Sequence, residues 1–132
     1  MILFVKYSHA QDWANLKRYQ QDNSVLKMSS EFKEDRIVFM GNSITESWAE
    51  IRPQFFDNRR YINRGISGQT TPQMLLRFRQ DVIELSPSVV VILAGINDIA
   101  GNTGPSTIDM IMDNKVSMSE LAKANGVKII LC

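Results

Sequence analysis

Three segments of the chain are continuously apolar and rich in β-branched residues: Arg36–Met40 (RIVFM), Val89–Ala94 (VVVILA) and Val127–Leu131 (VKIIL). Tyr61–Ile66 (YINRGI) is a weaker fourth. Continuous rather than alternating apolarity belongs to strands covered on both faces, as parallel strands are. Between these runs the spacing becomes helical. Met74, Leu75, Phe78, Val82 and Leu85 recur behind Thr71-Pro72, a cap followed by a proline at the helix start, and Pro87 ends the pattern. Ser106 with Asp109 opens a second helix that runs to a stop at Asn125-Gly126. Asp12–Gln21 reads as a further, peripheral helix. Strands alternating with helices predict an α/β domain: a three-layer α/β/α sandwich around a mainly parallel sheet.

At 132 residues and 15.0 kDa the chain has the size of one domain. A composition of 44% hydrophobic and 22% charged residues, with seven glycines and four prolines, excludes a disordered tail, a collagen-like repeat and a disulfide scaffold. Fifteen Lys and Arg against fourteen Asp and Glu leave a net charge of +1, so no bulk field draws the chain to nucleic acid or anionic lipid. Cys132, alone, allows no internal disulfide, and His9, alone, is too little for a His-based metal site. No apolar run approaches the roughly 18–20 residues of a membrane span.

Two segments stay ambiguous on composition. Residues 52–79 gather Arg52, Arg59, Arg60, Arg64, Arg77 and Arg79 against one acid, Asp57. A solvated face with some ion pairs is the ordinary reading of such a run, and an anionic-substrate patch is the alternative. In Met1–Ala10, Ile2-Leu3-Phe4-Val5 precedes Ser8-His9-Ala10, a small-x-small form like that of a signal-peptidase site. Four apolar residues fall short of the roughly 7–15 of a secretory core. The segment is either a clipped export signal, making the protein periplasmic or secreted, or a plain extension, leaving it cytoplasmic.

Candidate chemistry concentrates where three strands end. Ligands in open α/β sheets bind beyond the carboxyl ends of the strands. The loops there read Gly41-Asn42-Ser43-Ile44-Thr45-Glu46-Ser47-Trp48, Arg64-Gly65-Ile66-Ser67-Gly68-Gln69-Thr70-Thr71 and Gly95-Ile96-Asn97-Asp98-Ile99-Ala100-Gly101. A serine between strand and helix, such as Ser43, sits among backbone N–H groups that suit a nucleophile whose attack creates an oxyanion, although a plain N-cap has the same position. Gly68 can bring its N–H close to a ligand or simply turn the chain. Asn97 can offer amide donors to developing negative charge or close an Asx turn. Asp98 is read as a turn or cap residue rather than a base. Taken together, one hydroxyl and two separate donors on one sheet edge point to acyl transfer.

These blocks resemble a known family. Phe39-Met40-Gly41-Asn42-Ser43-Ile44-Thr45 is similar to the Gly-Asp-Ser-Leu block of the SGNH hydrolases, the GDSL-like lipases and acylhydrolases. Asn63–Thr70 resembles their second block and Gly95-Ile96-Asn97-Asp98 their Gly-x-Asn-Asp third block, so the likeness runs from about residue 36 to 132. The resemblance implies a flavodoxin-like α/β/α fold, Ser43 as nucleophile, an oxyanion hole from Gly68 N–H and the Asn97 side chain, and an acyl-serine intermediate formed without metal or organic cofactor. Phe39–Trp48 and Gly68–Leu76 look closest to the carbohydrate-esterase and platelet-activating-factor-acetylhydrolase-like branch, which removes short acyl groups such as acetyl from sugars.

The chain departs from the pattern twice. Asn42 stands where the family name has aspartate, which is not the triad acid. The Asp-x-x-His block that supplies the family's base and orienting acid is absent from these 132 residues, and His9 lies before the first strand. The implied division is therefore residues 1–30 as an N-terminal extension and 31–132 as the N-terminal portion of an SGNH domain, weakly active or inactive alone. An open final strand would then favour self-association. The rival reading is a non-catalytic module holding an acylated glycan or small anion at the same rim. A nucleotide-binding domain lacks both a Gly-x-Gly-x-x-Gly and a Walker-type sequence.

Overall fold

The computed structural model describes residues 12–132, so the alternatives for Met1–Ala10 and the placement of His9 lie outside the described residues. Four parallel strands form one sheet: β1 (Ile37–Gly41), β2 (Tyr61–Gly65), β3 (Val89–Leu93) and β4 (Lys128–Leu131), in the order β2-β1-β3-β4. Gly41 is in register with Gly65 on one side and Leu93 on the other, so three strands end level at one rim.

Side chains alternate across this sheet, as the pleat requires. Val38, Met40, Val90 and Ile92 are fully buried on one face, in a core with Met74, Phe78, Met118 and Ala122. Those partners lie on α4 (Thr71–Asp81) and α6 (Ile108–Ala124). Phe39 points to the other face, where α2 (Ser43–Ile51) and α3 (Pro53–Phe56) meet it. There it touches the rings of Trp48 and Phe55 edge-on at 5.3 and 5.6 Å. Helices thus flank both faces, as the apolar runs predict. No helix among the described residues is long and apolar enough to cross a membrane.

Several expected boundaries move, each for a local reason. Helix α4 is capped by Thr70 rather than Thr71, because the Gln73 side chain reaches back to accept the Thr70 N–H at 3.0 Å. It ends at Asp81, and Ile83–Leu85 continues as a 3-10 turn. Helix α6 is capped by Thr107 rather than Ser106, its side chain accepting from the Met110 N–H at 3.2 Å. The helix expected over 12–21 is displaced. Residues 13–19 form turns, with Asn15 at φ 54° and the Asp12 carboxylate accepting from the Leu16 and Lys17 N–H groups, and α1 spans Gln20–Met28.

The basic segment also needs correction. Arg52, Arg59, Arg60 and Arg79 are solvated, but Arg64 and Arg77 are only 4% and 0% exposed. Each finds enough acceptors inside the fold to replace water, which a reading by composition could not register.

Candidate active site

The first wall of the site is the turn from β1 into α2. Gly41 must be glycine, since a Cβ there would stand 2.0 Å from Thr45 Oγ1. Asn42 is buried, and its side-chain oxygen accepts the Ile44 N–H at 3.0 Å, capping α2. Ser43 follows as the first residue of α2, where a backbone N–H has no acceptor within its own helix and the positive end of the dipole lies alongside. Asn42 in place of the family's aspartate thus serves as a cap.

The second wall leaves β2. A Cβ on Gly65 would meet Glu46 N at 2.2 Å, so α2 presses directly on this strand. The Ile66 N–H donates to Gly41 O at 3.0 Å, extending the ladder past the last strand residue. Glu46 then holds the loop by accepting the Ser67 N–H at 2.8 Å and the Ser67 hydroxyl. Burial works to raise the Glu46 carboxyl, but Ser67 and the Arg18 guanidinium outweigh it and keep the group below the ordinary glutamate range. Gly68 takes φ +76°, a left-handed conformation that glycine adopts without steric cost.

The third wall follows β3. Gly95 at φ +120° turns the chain into α5 (Ile96–Ile99), which carries Asn97 and Asp98. The Asn97 side-chain amide donates one hydrogen to Gln69 O at 2.9 Å, leaving its second N–H for another acceptor. Asp98 is buried and caps the neighbouring helix, accepting the Thr71 N–H at 3.0 Å on both oxygens and the Thr71 hydroxyl at 2.5 Å. Asn102 Nδ2 reaches Gly68 O at 3.0 Å, and the Thr103 and Thr70 hydroxyls bond at 3.0 Å. The loops of β2 and β3 are stitched together at four points.

Behind the rim lies a polar network that sequence reasoning missed. Arg77 donates to Gln69 Oε1 (2.5 Å), Asp81 (2.9 Å), Gly41 O (3.2 Å) and Arg64 O (2.8 Å). Arg64 donates to Asn23 Oδ1 at 2.8 and 3.0 Å and lies 4.5 Å over the Tyr19 ring. Asn23 in turn donates to Asp81 at 2.6 Å. Burial lowers the pKa of both guanidiniums from the ordinary arginine value, and Asp81 opposes it. A signal existed: Arg77 and Asp81 sit three and seven residues after Met74, on the helical stripe that also carries the buried Phe78.

Ser43, Gly68 and Asn97 therefore stand on three loops leaving the carboxyl ends of three adjacent strands. A cavity of about 670 Å³ along the free side of β2, lined by Tyr19, Arg36, Glu46 and Arg64 among others, includes none of the three. Asp98 is the cap that its position beside a turn suggests.

Comparison with known proteins places this arrangement. A solved structure from Bacteroides fragilis is 57% identical with a TM-score of 0.85, covering 92% of this chain and 58% of its own. A GDSL-like lipase from Bacteroides thetaiotaomicron is 55% identical with a TM-score of 0.83, covering 89% and 57%. The uncharacterized lipoprotein YqeF of Bacillus subtilis is 37% identical over 73 residues, 53% of this chain and 30% of its own length. An acetyl xylan esterase shares the fold at 23% identity and a TM-score of 0.62, covering 74% of this chain and 57% of its own. The chain thus spans less than two thirds of the length of each of these relatives. The family model for GDSL-like lipases and acylhydrolases matches residues 39–132, and the chain belongs to that family.

Proposed function

We propose that this rim performs acyl transfer to serine in an esterase of short-chain acyl esters. The observation that carries the reading is the locked set of loops bearing Ser43, Gly68 and Asn97, with the Asn97 amide held against Gln69 O at 2.9 Å, one residue from Gly68. Ser43 Oγ attacks the acyl carbon and its own N–H, the Gly68 N–H and the free Asn97 N–H receive the oxyanion. Collapse of the tetrahedral species expels the alcohol and leaves an acyl-serine, which water hydrolyses. Acetyl groups on carbohydrate are the substrate class in this reading, supported by the branch that the first two blocks resemble and compatible with the fold shared with an acetyl xylan esterase.

The proton leaving Ser43 needs a base. The family's Asp-x-x-His sequence does not occur among these 132 residues and the single histidine is His9, so turnover by this chain alone is weak or absent. Binding without turnover would instead favour a module that only holds an acylated glycan. Export fits the likeness to a lipoprotein. Self-association belongs to the same reading, because Ile130 and Leu131 of β4, at one side of the sheet, are 52% and 47% exposed.

The test is p-nitrophenyl acetate hydrolysis by the 132-residue chain and by the full product of its reading frame, each beside Ser43→Ala. Turnover that disappears in Ser43→Ala is the expected result. Undiminished turnover in that variant overturns the assignment.

A further inference from the structure

We propose that Arg77 is the positioning residue of this rim, one buried guanidinium that fixes the Ser43, Gly68 and Asn97 loops relative to one another. The inference rests on the esterase reading for its catalytic consequence, but its structural content stands on geometry alone.

Arg77 is fully buried on α4, and four bonds leave it in three directions. Nη2 donates to Gly41 O, two residues before Ser43, and to Arg64 O at the end of β2. Nε donates to Gln69 Oε1, next to Gly68. Nη1 anchors the fork to Asp81, one turn along the same helix. Gln69 relays the constraint to the third loop, since its carbonyl holds the Asn97 amide. Its own Nε2 is tied to Ala14 O at 2.7 Å, so the relay cannot swing free. A planar guanidinium fits this task because its donors lie in a rigid fork, whereas an ammonium is a point charge that cannot reach Gly41 O and Gln69 Oε1 in fixed directions together.

Arg36 is the natural control. It is 1% exposed and also bonds to backbone carbonyls, those of Leu85, Leu26 and Ser29, but it precedes β1 at the opposite end of the sheet. A role in stability alone would make the two arginines equivalent.

The experiment compares amide hydrogen exchange in the 132-residue chain for wild type, Arg77→Lys, Gln69→Met and Arg36→Lys. Gln69→Met removes the acceptor that receives Nε while keeping the guanidinium, so it serves if Arg77→Lys fails to fold. The expected result is exchange at the Ile66 and Gln69 N–H groups faster by about tenfold or more relative to Val38 and Val90, in the Arg77 or Gln69 variant and not in Arg36→Lys. A uniform change across the sheet, or none at Ile66 and Gln69, overturns the proposal. In whichever protein shows Ser43-dependent turnover, kcat falls by about 10–100-fold in Arg77→Lys with KM nearly constant, and stays unchanged in Arg36→Lys. Equal kcat in wild type and Arg77→Lys also overturns it. If Ser43→Ala retains turnover, the esterase reading falls and the exchange data alone judge the clamp.

Discussion

Gln69 and Asn97 meet through a single hydrogen bond, the Asn97 side-chain amide donating to the Gln69 carbonyl at 2.9 Å across two loops. That bond consumes one amide hydrogen and aims the other. Asn97→Asp keeps the shape and removes both donors, so kcat for p-nitrophenyl acetate should fall about 10²–10³-fold with little change in KM. The check is steady-state kinetics in the protein that shows Ser43-dependent turnover. An unaltered kcat would remove Asn97 from the oxyanion hole.

Two glycines beside the site should respond to alanine for different reasons. At Gly65 the new methyl would meet the backbone of α2 at 2.2 Å, and backbone cannot step aside as a flexible side chain can. Gly65→Ala should cost about 3 kcal/mol or more, the upper range for overpacking. At Gly68 the nearest atom is 3.8 Å away, so only the φ of +76° resists. Gly68→Ala should cost about 1–2 kcal/mol. Urea denaturation of both variants orders them, and a larger loss at Gly68 would contradict the packing account.

Asp98 caps α4 from a neighbouring loop, and nothing else among the described residues accepts the Thr71 N–H. Asp98→Ala leaves that donor buried without a partner, a loss of about 1–3 kcal/mol. Asp98→Asn keeps one acceptor and should lose less. Thermal or urea unfolding of the pair tests the order. Equal losses would mean that the cap needs the whole carboxylate, and that its shape with one acceptor oxygen is not enough.

Glu46 gives the site a pH-dependent brace. Its folded pKa is lowered, so its contribution is present above the unfolded carboxyl's pKa and is lost as pH falls through the folded value. Glu46→Gln should therefore be less stable than wild type at neutral pH, with the difference shrinking as acid protonates the wild-type carboxylate. Unfolding curves for both proteins at neutral and acidic pH measure this. A gap that is constant with pH would show that the Ser67 contacts do not depend on the charge.

The sequence made the strands and the rim legible for a physical reason. RIVFM and VVVILA are apolar on both sides because both sides are covered, whereas VKIIL carries the same pattern with Ile130 and Leu131 about half exposed. Ser43, Gly68 and Asn97 lie where level parallel strands must end. The network behind them was not legible in the same way. Arg64 and Arg77 read as surface charge because composition records how many charges a segment holds and not which carbonyls face them. Gln69 lay in plain view inside a recognised block, yet its side chain turns inward to Arg77 while its backbone does the visible work. The displaced first helix has the same origin: Asp12 and Asn15 form local turns that outcompete helical periodicity.

Two guanidiniums and one carboxylate lie together beneath the rim: Arg64, Arg77 and Asp81. Asp98 at the rim is a second buried carboxylate, so charge there is balanced two against two, and each of these groups is fixed by hydrogen bonds made inside the fold. Such an arrangement is built during folding and requires no solvent to reorient around it. Apolar replacements of similar volume often raise stability at buried ionic sites. A thermostabilising search of this fold should therefore find its gains in these positions and give up the fixed loop geometry with them, so the network marks where stability and a rigid rim pull apart.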